Sequence, residues 1–225
     1  VPPGLRVLEI GCGNGDLLAA VEPAFGVGID FSIPTVQAAA RRHPDLHFAV
    51  ADAHALPLRE RFDVIILSDL INDVWDVQKV FEQLKPLCTS RSRLILNFFN
   101  DPWRLPLALV KRLGLGADHL DQNWLAPPDV ANLLQLAGFE VVNLFPRILL
   151  PLEIPLVSPA LNCYAVHFWP LNHLALTHLM VARPAFSSGK RASDPRAGVS
   201  VIVPARNEAG NIEAILVRTP ALGDE

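Results

Sequence analysis

The 225-residue chain is 51% hydrophobic and 19% charged, with 23 acidic against 19 basic residues and a net charge of −4. That balance excludes a disordered polar chain and gives enough length to bury the core of one α/β domain with a remnant beyond it. The basic residues fall in small groups such as Arg41-Arg42 and Arg91/Arg93 without forming a stripe, which speaks against nucleic acid as a partner.

Three widely spaced cysteines (Cys12, Cys88, Cys163) suit reduced thiols in a cytoplasmic setting and fit neither a disulfide framework nor a zinc site. The chain opens on Val1-Pro2-Pro3 with neither a signal peptide nor an initiating Met, which hints at a fragment or a trimmed chain.

Val7, Leu8 and Ile10 form a short buried strand, followed by a turn with glycines at 11, 13 and 15 and a helix starting near Asp16. The turn is neither Gly-x-Gly-x-x-Gly nor a Walker loop, because Asp16 stands at the third small position and no Gly-Lys-Ser/Thr follows. Residues 26–32 read as a second strand ending in Asp30, one βαβ interval after Glu9, where a carboxylate can accept from ribose hydroxyls. A helix over 34–42 leads to a third strand, 46–50, ending at Ala51-Asp52-Ala53. His54 reads as a solvent-facing or loop-packing residue. The apolar run Phe62–Leu67 is a central strand buried on both faces.

Beyond it, Ser68-Asp69-Leu70-Ile71-Asn72-Asp73 precedes a helix over 74–84, with Asp73 as either its cap or a pocket residue. Residues 93–99 form a fifth strand. A long segment, 100–124, then contains Trp103, an apolar helix over 105–113, a Gly114-Leu115-Gly116 break, His119 and Trp124. Either tryptophan can be ordinary core packing. A proline-started helix from 126 to 137 and a sixth strand over 137–142 follow. Residues 154–182 hold no Asp, Glu, Lys or Arg, yet Pro155, Pro159 and Pro170 argue against a transmembrane helix. Residues 172–183 read as a seventh strand, antiparallel to the sixth, preceded by an apolar flap that leaves peripheral membrane contact open.

Glu9-Ile10-Gly11-Cys12-Gly13-Asn14-Gly15 resembles the first motif of the class I S-adenosylmethionine-dependent methyltransferases, and residues 126–142 resemble its small-molecule members. The resemblance implies an α/β fold: a Rossmann-like, mostly parallel seven-stranded sheet with an antiparallel last strand and helices on both faces. It also implies S-adenosyl-L-methionine as cofactor, held by Glu9, Gly11, Cys12, Gly13, Gly15, Asp30, Phe31, Asp52, Ala53, Ser68 and Asp69. In the family the Asp52 position reads the adenine amino group, and the segment after strand four lines the methionine end, making Asn72 and Asp73 pocket candidates. The 100–124 insertion would be a lid over the acceptor, with His119 as its one group suited to proton removal.

Residues 184–198 read as a linker closing a 1–183 domain. Val199-Ser200-Val201-Ile202-Val203-Pro204-Ala205-Arg206-Asn207-Glu208 resembles the opening of family 2 glycosyltransferases, truncated at 225 before that family's metal-binding motif. Three functions follow as expectations. The first is methyl transfer to a small molecule, a sugar or a lipid-linked glycan. The second is a non-catalytic cofactor-binding module attached to a glycosyltransferase. The third, a dinucleotide oxidoreductase, is disfavoured by Glu9 and the glycine spacing.

Overall fold

The computed structural model describes residues 1–112, 123–152 and 154–185. His119, the Gly114-Leu115-Gly116 break, residues 186–198 of the expected linker and the whole of 199–225 lie outside the described residues.

Seven strands form one sheet: β1 (Arg6–Ile10), β2 (Phe25–Asp30), β3 (His47–Val50), β4 (Phe62–Leu67), β5 (Cys88–Phe99), β6 (Phe139–Pro146) and β7 (Thr177–Pro184). Their order is β3-β2-β1-β4-β5-β7-β6, parallel except for β7, which runs antiparallel to both β5 and β6. The expected Rossmann-like sheet is therefore present. Between β1 and β4 the chain changes its direction of winding, so the strand ends there open a crevice.

Each face of the sheet buries its own side chains. On one face Leu8, Ile10, Ile65, Leu67, Leu96 and Phe98 join the buried face of α3 (Val77–Leu84) and of α5 (Pro127–Leu136). Phe62, Phe81, Phe98 and Phe139 are fully buried there, each contributing about 1.5–3 kcal/mol of transfer free energy. On the other face Val7, Val64 and Ile66 pack with Leu18 of α1 (Asp16–Ala20) and with Leu46 and Phe48. Here β2 presents Gly28, where a Cβ would stand 2.6 Å from Phe48 Cδ1 and 2.9 Å from Cys12 Sγ. A Cβ on Gly15 would stand 2.6 Å from the same ring's Cζ. One phenyl ring thus requires small residues on two sides. Helix α2 (Ile33–Arg42) begins three residues after Asp30, with Ser32 at its N-cap.

Several element boundaries differ from the sequence reading. Strand β5 begins at Cys88, five residues before the expected Arg93, because Ser92 Oγ bridges to the Phe62 carbonyl at 2.5 Å and carries the polar stretch through a register shift. Helix α3 starts at Val77, three residues after the expected Val74. Its cap is Asp76, whose side chain accepts the Lys79 N–H at 2.9 Å, so Asp73 is not the cap. Strand β6 continues through Asn143–Pro146. Strand β7 starts at Thr177 and not at Asn172, and it runs to Pro184, so the expected linker's first residue belongs to the sheet.

The residues before β7 form α6 (Val157–Cys163) and short 3-10 turns, with Leu156 88% and Trp169 80% exposed. The described part of the 100–124 insertion is a turn at Asp101–Trp103 and α4 (Arg104–Arg112). Trp103 is half-buried, and its indole N–H donates to the Leu174 carbonyl at 2.7 Å. No helix among the described residues is long and apolar enough to cross a membrane.

Candidate active site

Strand β1 delivers the chain into the glycine turn at the carboxyl edge of the sheet. Gly11, Gly13 and Gly15 have φ of 75°, 51° and 77°, a region that strains any residue bearing a Cβ. The turn is sewn to the end of β2, the Gly11 and Cys12 amides donating to the Ile29 carbonyl at 2.7 and 3.0 Å. Asp30 completes this seam, its Oδ2 accepting from the Gly13 N–H at 3.1 Å and its Oδ1 from the Ser32 N–H at 2.9 Å. An ionised carboxylate has about four acceptor positions, so both oxygens can still receive a further donor. A Cβ built on Gly13 meets nothing within 4 Å, so this corner of the turn faces open space.

A cavity of about 530 Å³ opens beside the seam. Gly11, Asp30, Phe31, Asp52, Ala53, Ser68 and Asp69 of the expected set all line it, so four strand ends distant in sequence converge on one space. Asp73, Val74 and Trp75 line it as well. Glu9, Cys12, Gly13 and Gly15 are not among its lining residues.

The volume suits a nucleoside-sized ligand. The Asp52 carboxylate accepts from the His54 amide at 2.8 Å and pairs with His54 Nδ1 at 2.7 Å. His54 Nε2 accepts the Asp76 N–H at 3.3 Å, which leaves the ring proton on Nδ1, facing Asp52. The His54 backbone amide first, and then its side chain, hold the Asp52 carboxyl below the usual carboxylate range.

Residues 2–123 match the family model described as a methyltransferase domain, more than half of the chain. The chain belongs to the methyltransferase-domain family. It is 26% identical over 176 residues to 2-phytyl-1,4-naphtoquinone methyltransferase of Thermosynechococcus vestitus, covering 65% of this chain and 77% of that protein. It is 31% identical over 131 residues to a ubiquinone biosynthesis O-methyltransferase of Rhodopseudomonas palustris, covering 54% of this chain and 49% of the relative. The chain thus spans about half the length of that relative. Among solved structures, an S-adenosylmethionine-dependent methyltransferase from Mesorhizobium loti superposes with a TM-score of 0.62 at 18% identity, covering 80% of this chain and 91% of that one. Magnesium protoporphyrin IX methyltransferase from Synechocystis, solved with bound S-adenosylhomocysteine, gives 0.56 at 19% identity, covering 81% of this chain and 75% of that one. At such identities these structures establish the fold of the methyltransferase.

Behind the turn of this methyltransferase domain, Glu9 is 2% exposed and its Oε2 has no hydrogen-bond partner among the described residues. Burial pushes its carboxyl up to about 7 against a backbone hydrogen bond from Leu18 that acts the other way. The unfolded chain gives up this proton near pH 4.5 while the folded chain holds it to about 7. Stability from this group is therefore complete below about pH 4.5 and falls by about 3 kcal/mol as pH rises to 7, levelling off above. Denaturant titrations from pH 4 to 8 should show Glu9→Gln gaining on the wild type by that amount across this window. A constant difference between the two proteins would contradict the buried carboxyl. Cys12 is also buried, its thiol pushed up to about 12 by burial and by the charges of Glu9 and Asp30. It is a packing residue and not a nucleophile.

On the other side of the cavity, Asp69 has a φ of 52° and its amide donates to Asn97 Oδ1 at 3.0 Å, while Asn97 Nδ2 donates back to its carboxylate. Asp73 lines the cavity as expected. Asn72 does not. It is 1% exposed, its Oδ1 accepting from the Phe99 N–H at 2.9 Å and its Nδ2 donating to the Asn123 carbonyl at 2.7 Å.

Sequence reasoning passed over Trp75 and did not place His54 at the cavity. The His54 ring is 7% exposed and stacked on Trp75 with centroids 4.4 Å apart, so of its two expected settings the loop-packing one holds. The available signal was the spacing of His54 two residues after Asp52.

Proposed function

We propose that the 530 Å³ cavity holds S-adenosylmethionine, with Asp30 taking the ribose hydroxyls and the Asp52–His54 segment reading the adenine edge. Phe31 and Ala53 flank the base, and Ser68 and Asp69 border the methionine end. Glu9, Cys12, Gly13 and Gly15 shape the turn without lining that space. The observation that carries this reading is the convergence of Asp30, Asp52 and Asp69 on one cavity at the winding reversal, with Asp30 anchored by the Gly13 amide.

The cofactor supplies a methyl group on a sulfonium, already activated toward attack. The protein's contribution is to hold the acceptor atom in line about 3 Å away and to exclude water. The acceptor enters over the ends of β4 and β5. A small hydrophobic molecule with a ring hydroxyl or an activated ring carbon is the acceptor class we favour. The names of the naphthoquinone and ubiquinone relatives support it. So does the uncharged segment 154–182 with its exposed Leu156, Phe168 and Trp169, which suits contact with a membrane that dissolves such acceptors. A sugar or lipid-linked glycan is the second reading, carried by the glycosyltransferase-like sequence at 199–208 after a 1–183 methyltransferase domain.

The test is an acceptor screen by mass spectrometry with labelled S-adenosylmethionine, pairing short-chain hydroquinones with glycolipids, each with and without phosphatidylcholine vesicles. A labelled quinol ether or ring-methylated quinone supports the first reading. Label found only on glycan overturns it in favour of the second. Turnover indifferent to vesicles, with no co-sedimentation, removes the membrane element.

A further inference from the structure

A second concavity lies away from the proposed cofactor cavity, between α5 and the paired strands β6 and β7. It has a main lobe of about 430 Å³ and an adjoining lobe of about 300 Å³. Pro127, Pro128, His173 and His178 line both lobes, and neither shares a lining residue with the first cavity. The main lobe has no charged side chain, its walls being proline, Val141, Leu144 and Met180. Asn172, His173 and His178 interrupt this apolar lining, and two of their polar atoms are buried without a partner among the described residues. His178 is 4% exposed, and its Nδ1 has no hydrogen-bond partner among the described residues; Asn172 Oδ1 is likewise buried without one. Leaving such atoms dry is costly, so the site is built for a partner that supplies donors.

The ring of His178 sets what that partner must offer. Burial keeps it neutral, and the hydrogen bond that opposes this effect runs to the Asn172 backbone. With the ring's proton on Nε2, Nδ1 presents a lone pair. Asn172 Oδ1 is an acceptor too. In the main lobe the ligand therefore brings O–H or N–H donors on an uncharged, otherwise apolar body, while the adjoining lobe carries Asn100 and Asp101. The place of the site fits an acceptor: β7 pairs His178 with Phe98 and Thr177 with Phe99, the last residues of β5, so His178 sits at the edge where acceptor enters. Its ring also packs near-parallel to Phe98 with centroids 5.7 Å apart, which fixes the imidazole.

We propose that the α5/β6–β7 concavity is the acceptor's recognition subsite, in which His178 Nδ1 and Asn172 Oδ1 receive the hydroxyl groups of a neutral, apolar hydroxylated ring. This rests on the small-molecule reading above and names the feature by which the acceptor is chosen. His178 is a specificity residue here and not a proton carrier to the methyl group.

The test is direct binding to the full chain, with S-adenosylhomocysteine saturating so that the first cavity is blocked. The probes are 2,3-dihydroxynaphthalene and 2,3-dimethoxynaphthalene, which share a ring system and differ in donors. The wild type should bind the diol at least about tenfold more tightly, as sites built for donors reject analogues lacking them. His178→Phe keeps a flat ring against Phe98 but removes Nδ1, and it should erase the preference without changing S-adenosylhomocysteine affinity. In the wild type, the ¹⁵N resonance of His178 Nδ1 should shift on adding the diol, a readout that survives a variant that fails to fold. Equal binding of diol and diether, no binding of either, or an unmoved His178 resonance overturns the proposal and leaves the two atoms to a bridging water. Diol binding in a chain that does not bind S-adenosylhomocysteine would instead sink the cofactor assignment alone.

Discussion

Asp30→Ala should weaken binding of S-adenosylmethionine and S-adenosylhomocysteine by about two orders of magnitude, close to 3 kcal/mol. On the proposed assignment two ribose hydroxyls donate to an ionised carboxylate, and each charge-assisted hydrogen bond is worth about 1.5–3 kcal/mol. The residue also tethers the Gly13 and Ser32 amides, so its removal loosens the turn that shapes the cavity. Asp30→Asn separates the two effects. The amide oxygen can still take one backbone N–H, and affinity should fall by about tenfold. Calorimetric titration gives the affinities, and thermal unfolding of the free variants gives the loosening. Unchanged affinity in Asp30→Ala would remove Asp30 from the site.

Asn72→Leu should destabilise the fold by about 3 kcal/mol. The replacement is close in shape, so packing survives while the side chain's hydrogen bonds vanish. The Phe99 N–H and the Asn123 carbonyl lose their side-chain partner, and each buried group left unmatched costs about 1–3 kcal/mol. For a domain of this size that is a drop of about 10 °C in midpoint. Denaturant unfolding measures it. A loss below about 0.5 kcal/mol would mean that water replaces the amide. Asn72 also joins the chain after β4 to the end of β5, so acceptor affinity should suffer before cofactor affinity does.

Much of the cofactor side was legible in the sequence because it depends on local patterns. Glycine spacing forces the turn, and the βαβ interval sets Asp30 and Asp52 at strand ends. The apolar run of β4 identifies the centre of the sheet. Features decided by distant partners were not legible. Asp73 and Asp76 are both acidic residues ahead of one helix, and only the position of Val77 against the core selects Asp76 as the cap. Cys88-Thr89-Ser90-Arg91 reads as a polar connection until Ser92 finds the Phe62 carbonyl thirty residues away. Asn72 reads as a pocket residue until Phe99 and Asn123 arrive to satisfy it. His178, in a stretch without charges, gave no sign that its ring would be buried beside Asn172.

The ring of Phe48 bears on how this sequence can drift. Gly15 and Gly28 both lie within 2.6 Å of it once given a Cβ, so neither can grow while the phenyl remains. Position 28 has an escape only if two neighbours give way: a smaller residue at 48 and a turned Cys12 Sγ, 2.9 Å from the same Cβ, would together free space for alanine in an ordinary strand conformation. Position 15 has none, because its φ of 77° penalises a side chain whatever stands at 48. Replacement at position 28 thus has to follow room made at both 48 and 12, with Phe48 shrinking first. Position 15 stays fixed throughout.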